Sequence, residues 1–460
     1  MTLRYGSTRG DAPPLDFADT MLTGLAPDGG LYVPASFPAL PDLDGLERYA
    51  DVAAAVMWPF VEGAIERAAF ERIVEDAYAS FDHPDVVPLV PLDDRRWLLE
   101  LFHGPTIAFK DVALQLVGRL FDHFLTERGR RATILVATSG DTGSAAMAAT
   151  VGRAALDCVV LFPDGGRVSE VQRRQMTTID APNVHAVAAA GTFDDCQDLV
   201  KAAFADRAFR DEVQLSAMNS INWGRVMAQV VYYVTAARAV RRETGAAPVF
   251  SVPTGNFGNV LAGWVAQQMG LDVAGFLVAS NRNDILTRWL ETGTLTAEPV
   301  VPTISPSMDI QVSSNLERLL FDLLGRDGSA TAELLREFRA AGHVDAPRPS
   351  GWWGARLDDD ATRETIAAQW ARHEVLLDPH TAVGVGAVDR VEGLPDAPVV
   401  CLATAHPAKF PDAVEAATGV RPALPAHYAD LLDRPERVEE VAADLAAVEA
   451  LVRRLVRPAA

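Results

Sequence analysis

From residue 96 onward, short uninterrupted apolar runs take turns with longer segments whose apolar positions recur at helical spacing. The runs at 97–101, 132–138, 158–162, 184–190, 249–253, 275–280 and 399–403 have strand length, and most lack a polar face. Strands of that kind belong to sheets covered on both sides, which is the habit of parallel sheets. The intervening periodicity predicts helices over 112–127, 168–179, 194–207 and 223–244, and another from Val260 onward. Such alternation predicts an α/β fold with mostly parallel sheets and right-handed crossovers.

The texture differs on either side. Residues 1–95 mix short segments with turn punctuation at Pro13-Pro14, Asp28-Gly29-Gly30 and Pro38 to Pro41, and 45–82 is mostly helical in pattern. This predicts a smaller leading domain. Pro299, Pro302 and Pro306 make 294–312 a predicted long loop. Helices are predicted near 314–325, 330–341 and 361–374, and a charged helical tail over 430–457.

A chain of 460 residues exceeds one hydrophobic core, so two or three domains are expected. Its formal charge of −21 argues against general binding to nucleic acid or an anionic membrane. A small anionic substrate in a locally basic pocket stays open. Cys158, Cys196 and Cys401 are scattered and lack metal-ligand spacing. They predict packing residues in a reducing cytoplasm, with no disulfide framework and no metal site. No run of about 18 apolar residues and no apolar leader occurs, so no membrane association is expected.

Candidate chemistry lies in the turns. Lys110 stands between Phe109 and Asp111, where a Gly-Pro segment gives way to a helical run. An ammonium stripped of water has a lowered pKa, which frees the amine for Schiff-base chemistry. A lysine snorkelling from a surface helix is the alternative. The loop Thr254-Gly255-Asn256-Phe257-Gly258-Asn259 joins a strand to a helix and suits a phosphate ester held by backbone donors. It has neither the Walker lysine nor the dinucleotide spacing, and an ordinary glycine-rich turn would look the same. Ser139-Gly140-Asp141-Thr142-Gly143 offers hydroxyls and a helix N-terminus to a carboxylate; helix capping by Ser139 or Thr142 is the plain alternative. Asn219-Ser220-Ile221-Asn222-Trp223-Gly224-Arg225 puts amides, a hydroxyl and an arginine at a helix entrance, where Arg225 suits a phosphate unless it is a surface residue.

Taken together and in order, these motifs resemble the threonine synthases, fold-type II pyridoxal-phosphate enzymes, in the longer-chain group with an extra N-terminal domain. The likeness rests on Phe102-His103-Gly104-Pro105-Thr106-Ile107-Ala108-Phe109-Lys110-Asp111, on Thr138 to Gly143, on Asn219 to Asn222 and on Val252 to Asn259. Asp378-Pro379-His380-Thr381-Ala382, Thr404-Ala405-His406-Pro407-Ala408-Lys409-Phe410 and the opening Tyr5 to Pro34 complete it, and the tail resembles the group least.

The resemblance implies two mostly parallel α/β domains with an extra N-terminal domain and a helical C-terminal tail. It divides the chain into 1–95, a discontinuous cofactor domain at 96–125 and 223–410, a small mobile domain at 126–222 and a tail at 411–460. It implies that Lys110 holds pyridoxal 5′-phosphate as a Schiff base and shuttles protons. Gly255, Asn256, Phe257, Gly258 and Asn259 would cradle the cofactor phosphate, and Thr404 would face the pyridine nitrogen. Asp141 would lie near the cofactor's 3′-oxygen, where the broader fold type often has asparagine; an acid there needs a proton or a cationic neighbour. Ser139 and Thr142 would take the substrate carboxylate, and Asn219, Ser220 and Arg225 its phosphate. The implied reaction turns O-phospho-L-homoserine and water into L-threonine and phosphate, in a cytoplasmic monomer or homodimer. Another pyridoxal-phosphate lyase or a non-catalytic homologue is the alternative, and the Arg225 pocket weighs against a dehydratase, whose substrate has no phosphate. His380 is expected to brace a loop, while His103, His406, Lys409 and Asp111 have no role assigned by the sequence.

Overall fold

Uninterrupted apolar runs become the centres of two sheets. In the computed structural model, which describes residues 2–165 and 168–457, the larger sheet has six strands. Their order is Trp352–Arg356, Gly275–Ser280, Val249–Pro253, Val399–Ala403, Arg96–Glu100, Leu89–Pro91. Every neighbouring pair is parallel except the last. The smaller sheet has five parallel strands in the order Glu439–Ala442, Val184–Ala190, Leu156–Pro163, Ala132–Ala137, Leu215–Ser216. Val249–Pro253, Gly275–Ser280, Val399–Ala403 and Leu156–Pro163 are buried at every residue, because helices cover both faces. The α/β architecture expected from the alternation is the one observed.

Ahead of these sheets, Tyr5–Ser7 pairs antiparallel with Tyr32–Pro34, and the helices Tyr49–Val61 and Arg67–Tyr78 follow. These elements share one core with the rest. Trp223, at the start of the Trp223–Thr244 helix, is packed by Tyr5, Phe37 and Phe60 from the leading segment. Among the described residues, no helix is long and apolar enough to cross a membrane.

Four expectations need correction. The interval 294–312 is not loop throughout: Thr294–Thr296 pairs antiparallel with His343–Asp345, because the prolines begin only at Pro299. The single helix over 194–207 is two, Phe193–Ala205 and Arg207–Glu212, since Asp206 ends the first and caps the second through Phe209 N. Arg96–Glu100 has an antiparallel edge partner at Leu89–Pro91, within the stretch read as leading domain. The charged tail is not helical from 430 to 457: Glu439–Ala442 adds a strand to the smaller sheet before the Leu445–Leu455 helix. Charge hid that strand, but its alternation drops Val441 onto the apolar face shared by Val187 and Val448.

The Lys110–Glu127 helix lies against the Asp141–Thr150 helix, and this crossing positions the site. Gly118 makes the close approach possible, for a Cβ there would lie 2.5 Å from the Ala149 carbonyl oxygen. Replacing it, Gly118→Ala, should push the two helices apart and destabilise the fold by about 1–3 kcal/mol. Urea unfolding followed by tryptophan fluorescence tests this; an unchanged midpoint would show that the crossing relaxes freely.

Candidate active site

The loops that leave the C-terminal ends of Arg96–Glu100, Ala132–Ala137, Val249–Pro253 and Val399–Ala403 converge on one cavity of 570 Å³. Open α/β sheets bind ligands at that end of their strands. A volume between about 300 and 1,000 Å³ suits a small ligand or cofactor. Lys110, Ser139, Asp141, Thr142, Asn219, Ser220, Arg225, the loop 254–259 and Thr404 all line it. The structure therefore brings every site residue expected from the sequence into one place.

Lys110 is the first residue of its helix and is buried. The preceding loop is zipped to the strand end at 403–406: Phe109 N donates to the Thr404 carbonyl at 2.8 Å, and His406 N to the Ile107 carbonyl at 3.0 Å. Ile107 has a φ of 53°, a costly left-handed conformation for a β-branched residue. Asp111 supplies the other restraint. Its carboxylate accepts from Thr106 N at 2.7 Å and Thr106 Oγ1 at 2.8 Å, closing the turn before the lysine. Gly104 fits because a Cβ there would meet Asp111 Cβ at 2.4 Å. Asp111 thus has a structural account that the sequence did not offer.

Lys110 Nζ donates to Asp141 Oδ2 at 3.1 Å. Burial lowers the lysine's pKa, Asp141 opposes that shift, and the charges of Lys409 and Arg225 push it further down. Burial alone would raise the Asp141 carboxyl, yet Lys110, Lys409 and the Gln172 amide hold it well below the usual range. Lys409 Nζ lies 3.1 Å from Asp141 Oδ1 and is fully buried, which settles it as a second cation of the site. Gln172 Nε2 donates to Asp141 Oδ1 at 2.7 Å. The same side chain caps its own helix, Oε1 accepting from Ser169 N at 3.1 Å.

Capping at the Ser139–Gly143 turn falls to neither candidate. Thr138 Oγ1 accepts from Gly140 N at 3.0 Å and Gly143 N at 2.9 Å. That leaves the Ser139 and Thr142 hydroxyls on the cavity wall. Gly140, at φ 140°, could carry no side chain without striking Gln172 at 2.5 Å.

Opposite, the loop 254–259 opens the Gly258–Gln268 helix, with Phe257 at φ 65°. The first-turn N–H groups have no intrahelical partner and form an anion cradle. Asn315 holds the loop in shape, its Nδ2 donating at 3.0 Å to both the Asn256 and Ser220 carbonyls. Arg318 holds Asn315 and also donates to the carbonyls of Ile221 at 2.6 Å and Tyr32 at 2.9 Å. One buried guanidinium thus ties the leading segment, the 219–222 loop and the anion cradle together.

Arg225 is a polar group of the cavity that the protein leaves unsatisfied. It is buried, its Nε and Nη1 have no partner, and burial pushes its pKa down to about 10. Gln229 Oε1, one turn along the same helix, and Asn259 Nδ2 are likewise buried without partners. Buried donors of this kind are expensive unless a ligand meets them. Two of the three carry N–H groups, so the chemistry favours an anion.

His380 braces a loop as expected and also lines the cavity. Its Nε2 accepts from Ser307 N at 3.1 Å and its Nδ1 faces Asp378 Oδ1 at 2.8 Å, so the proton belongs on Nδ1. His103 faces Glu100 at 2.8 Å, and His406 caps the Pro407–Lys409 turn through Ala408 N at 3.1 Å. The sequence reading missed Gln172, Gln229, Asn315 and Arg318. Gln229 was detectable as the residue four positions after Arg225; Gln172 was disguised by its capping role, and Asn315 and Arg318 left no local signal.

Comparison with known proteins agrees with this geometry. Residues 4–78 match the family model described as threonine synthase N terminus, 86–405 that of pyridoxal-phosphate dependent enzyme, and 381–452 that of threonine synthase, C-terminal. The chain is 50% identical to the threonine synthase of Pseudomonas aeruginosa, with 98% of each chain covered. It is 41% identical to that of Corynebacterium glutamicum, with 97% of each covered. A crystal structure of PLP-bound threonine synthase from Brucella melitensis superposes with a TM-score of 0.95 at 49% identity, covering 99% of this chain and 100% of that one.

The histidine beside the lysine loop gives a pH test. Burial, then the neighbouring His103, lowers the His406 pKa from 6.5 to about 4. Between those values the unfolded chain binds the extra proton, so stability is full above pH 6.5 and falls as pH drops toward 4, by about 3 kcal/mol. His406→Asn, which keeps an acceptor for Ala408 N, should flatten that acid limb in urea midpoints measured from pH 7 to 4.5. An unchanged limb would assign the acid sensitivity to other groups.

Proposed function

The chain belongs to the threonine synthase family, and on that premise we propose that the Lys110 cavity is where O-phospho-L-homoserine and water become L-threonine and phosphate. Its cofactor is pyridoxal 5′-phosphate. The residues present fit that group: a buried amine of lowered pKa, a helix N-terminus with the unpartnered Asn259 Nδ2 for a phosphate, and the Thr404 hydroxyl on the wall. When bound, the cofactor supplies a conjugated electron sink that lets the substrate's α proton leave.

This chain's own groups do the rest. Lys110 would hold the cofactor and, once freed by the substrate amine, would take a proton from the α carbon and one from the β carbon, deliver one to the γ carbon that the phosphate has left, and return one to the α carbon. Backbone donors from Gly255 to Asn259 hold the cofactor phosphate. Ser139 and Thr142 orient the substrate carboxylate at the start of their helix. Arg225, with Asn219 and Ser220, holds the phosphate that departs from the γ carbon, and water adds at the β carbon. The observation that carries this reading is the unpartnered Arg225 guanidinium on the same cavity as Lys110. A lyase whose substrate has no phosphate would leave that charge buried without a partner.

We take the smaller-sheet unit at 126–222 as the part that closes over substrate, because it contributes Ser139, Thr142 and Asn219 to one wall of the cavity. Its strand partner Glu439–Ala442 would travel with it. We take the chain to act as a monomer or a homodimer. Three free, buried cysteines suit the cytoplasm.

Phosphate release from O-phospho-L-homoserine tests the assignment. Lys110→Ala should abolish turnover together with the visible absorbance of the bound cofactor; full turnover would overturn the reading. Arg225→Ala should raise KM roughly 30- to 100-fold, the loss of about 2–3 kcal/mol from a charge-assisted phosphate contact. Cofactor binding should be nearly intact. Loss of cofactor at unchanged KM would exchange the two phosphate assignments.

A further inference from the structure

Lys409 has no substrate to touch. Its ammonium has three protons, and three acceptors surround it: the Thr106 carbonyl at 2.8 Å, Gln175 Oε1 at 2.8 Å and Asp141 Oδ1 at 3.1 Å. The side chain is fully buried and none of it lines the cavity. Its carrier is the turn Pro407–Lys409, fixed by the His406 cap and by Ser169 Oγ, which donates to the Lys409 carbonyl at 2.9 Å. A lysine so saturated is held in place by its three acceptors, away from the cavity.

Asp141 therefore has two cations, one on each oxygen, Lys110 on Oδ2 and Lys409 on Oδ1. Lys110 must be neutral to add to a carbonyl or to accept a proton. With Lys110 as its sole partner, a buried carboxylate would be stranded whenever that amine lost its proton, and would resist the loss. We propose that Lys409 is a positioning residue, the permanent counter-cation of Asp141, which lets Lys110 give up its proton without leaving a bare buried charge. The inference rests on the reading of Lys110 as the cofactor-linked amine.

The remaining groups around the pair do not replace Lys409. Asp111, on the lysine's own helix, is engaged by Thr106, and His380 is held by Asp378 and Ser307. Gln172 and Gln175 are neutral, and Tyr428 lies behind Asp111 with burial raising its hydroxyl pKa. Arg225 repels the Lys110 charge from the cavity side and has no hydrogen bond to Asp141.

The test is the pH midpoint at which Lys110 becomes nucleophilic, read in the full-length chain stripped of cofactor. Two readouts give it: the rate of pyridoxal phosphate uptake by visible absorbance, and reductive methylation of Lys110 by formaldehyde and cyanoborohydride, scored by peptide mass spectrometry. Removing the counter-cation, Lys409→Met, should move the midpoint up by about one pH unit or more, since Lys110 is freed of a like charge and faces the opposite charge of Asp141 alone, and such charges shift a pKa by about 1–3 units. Asp141→Asn with Lys409 intact should move it down. The double variant should return it toward wild type. Opposed single shifts that cancel are the signature of a charge pair. A uniform loss of rate at every pH with unmoved midpoints would overturn the proposal and leave Lys409 a packing residue. If Lys409→Met does not fold, Lys409→Gln, which drops the charge but keeps a donor, should raise the midpoint in the same direction, and an unmoved midpoint there overturns the proposal. Borohydride trapping of the cofactor on the wild-type holoenzyme separates the two failures: label on a residue other than Lys110 removes the underlying reading, whereas label on Lys110 with unmoved midpoints removes this inference only.

Discussion

Asp141 is one carboxylate shared by three elements that meet nowhere else in the sequence. Lys110 reaches it from the loop after Arg96–Glu100, Lys409 from the turn after Val399–Ala403, and Gln172 from a helix of the smaller sheet. The two lysine contacts cross from the larger-sheet unit while the Gln172 bond stays within the smaller one, so the carboxylate joins the two sheets and faces the buried Lys110 amine. Burying it is affordable only because both oxygens are engaged. Moving any one of the three elements by an ångström or two would expose an unpaired charge, and this penalty keeps the lysine loop, the late turn and the capped helix in register.

Around that centre, restraint is mostly built from neutral hydrogen bonds. Thr138 closes one anion-binding turn with its hydroxyl, and Asn315 closes the other with its amide. Arg318, itself buried, is satisfied by carbonyls and an amide oxygen and not by a carboxylate. Arg225 differs from it in a single respect: its donors are left open. Two buried arginines in one region, one saturated and one not, separate the scaffold from the binding site more clearly than burial does.

The fold was legible where chemistry and periodicity agree. Mostly apolar runs such as 249–253 and 275–280 coincide with strands because burial on both faces favours apolar side chains and admits a polar one only with a partner, as Ser251 has in the Gly384 carbonyl and Ser280 in Thr287 Oγ1. Glu439–Ala442 escaped because it is an edge strand in which Glu440 faces water, Glu439 is half-buried against Arg454 and Val441 alone packs on the core. Residues proposed to act on ligands fell in turns that open helices, where Lys110, Ser139 and Gly255 stand beside recognisable punctuation. Residues that act on other residues, such as Gln172, Lys409 and Arg318, were illegible or ambiguous. Their partners are 31, 268 and 286 positions away in the cases of Gln172–Asp141, Lys409–Asp141 and Arg318–Tyr32, and no local pattern encodes such pairings.

The strand Glu439–Ala442 has a consequence for the order of assembly. The other four strands of the smaller sheet are complete by Ser216, but its edge is closed by residues more than two hundred positions later. During synthesis the Val184–Ala190 edge stays open while the last four strands of the larger sheet emerge from the ribosome. An open strand edge invites pairing with other chains, so the nascent chain carries that exposure until its last strand arrives. The late strand also makes a third crossing between the sheets, after the two near residues 127 and 222. A lobe tethered at three points can hinge but cannot twist freely, which narrows the paths open to the closure proposed for it.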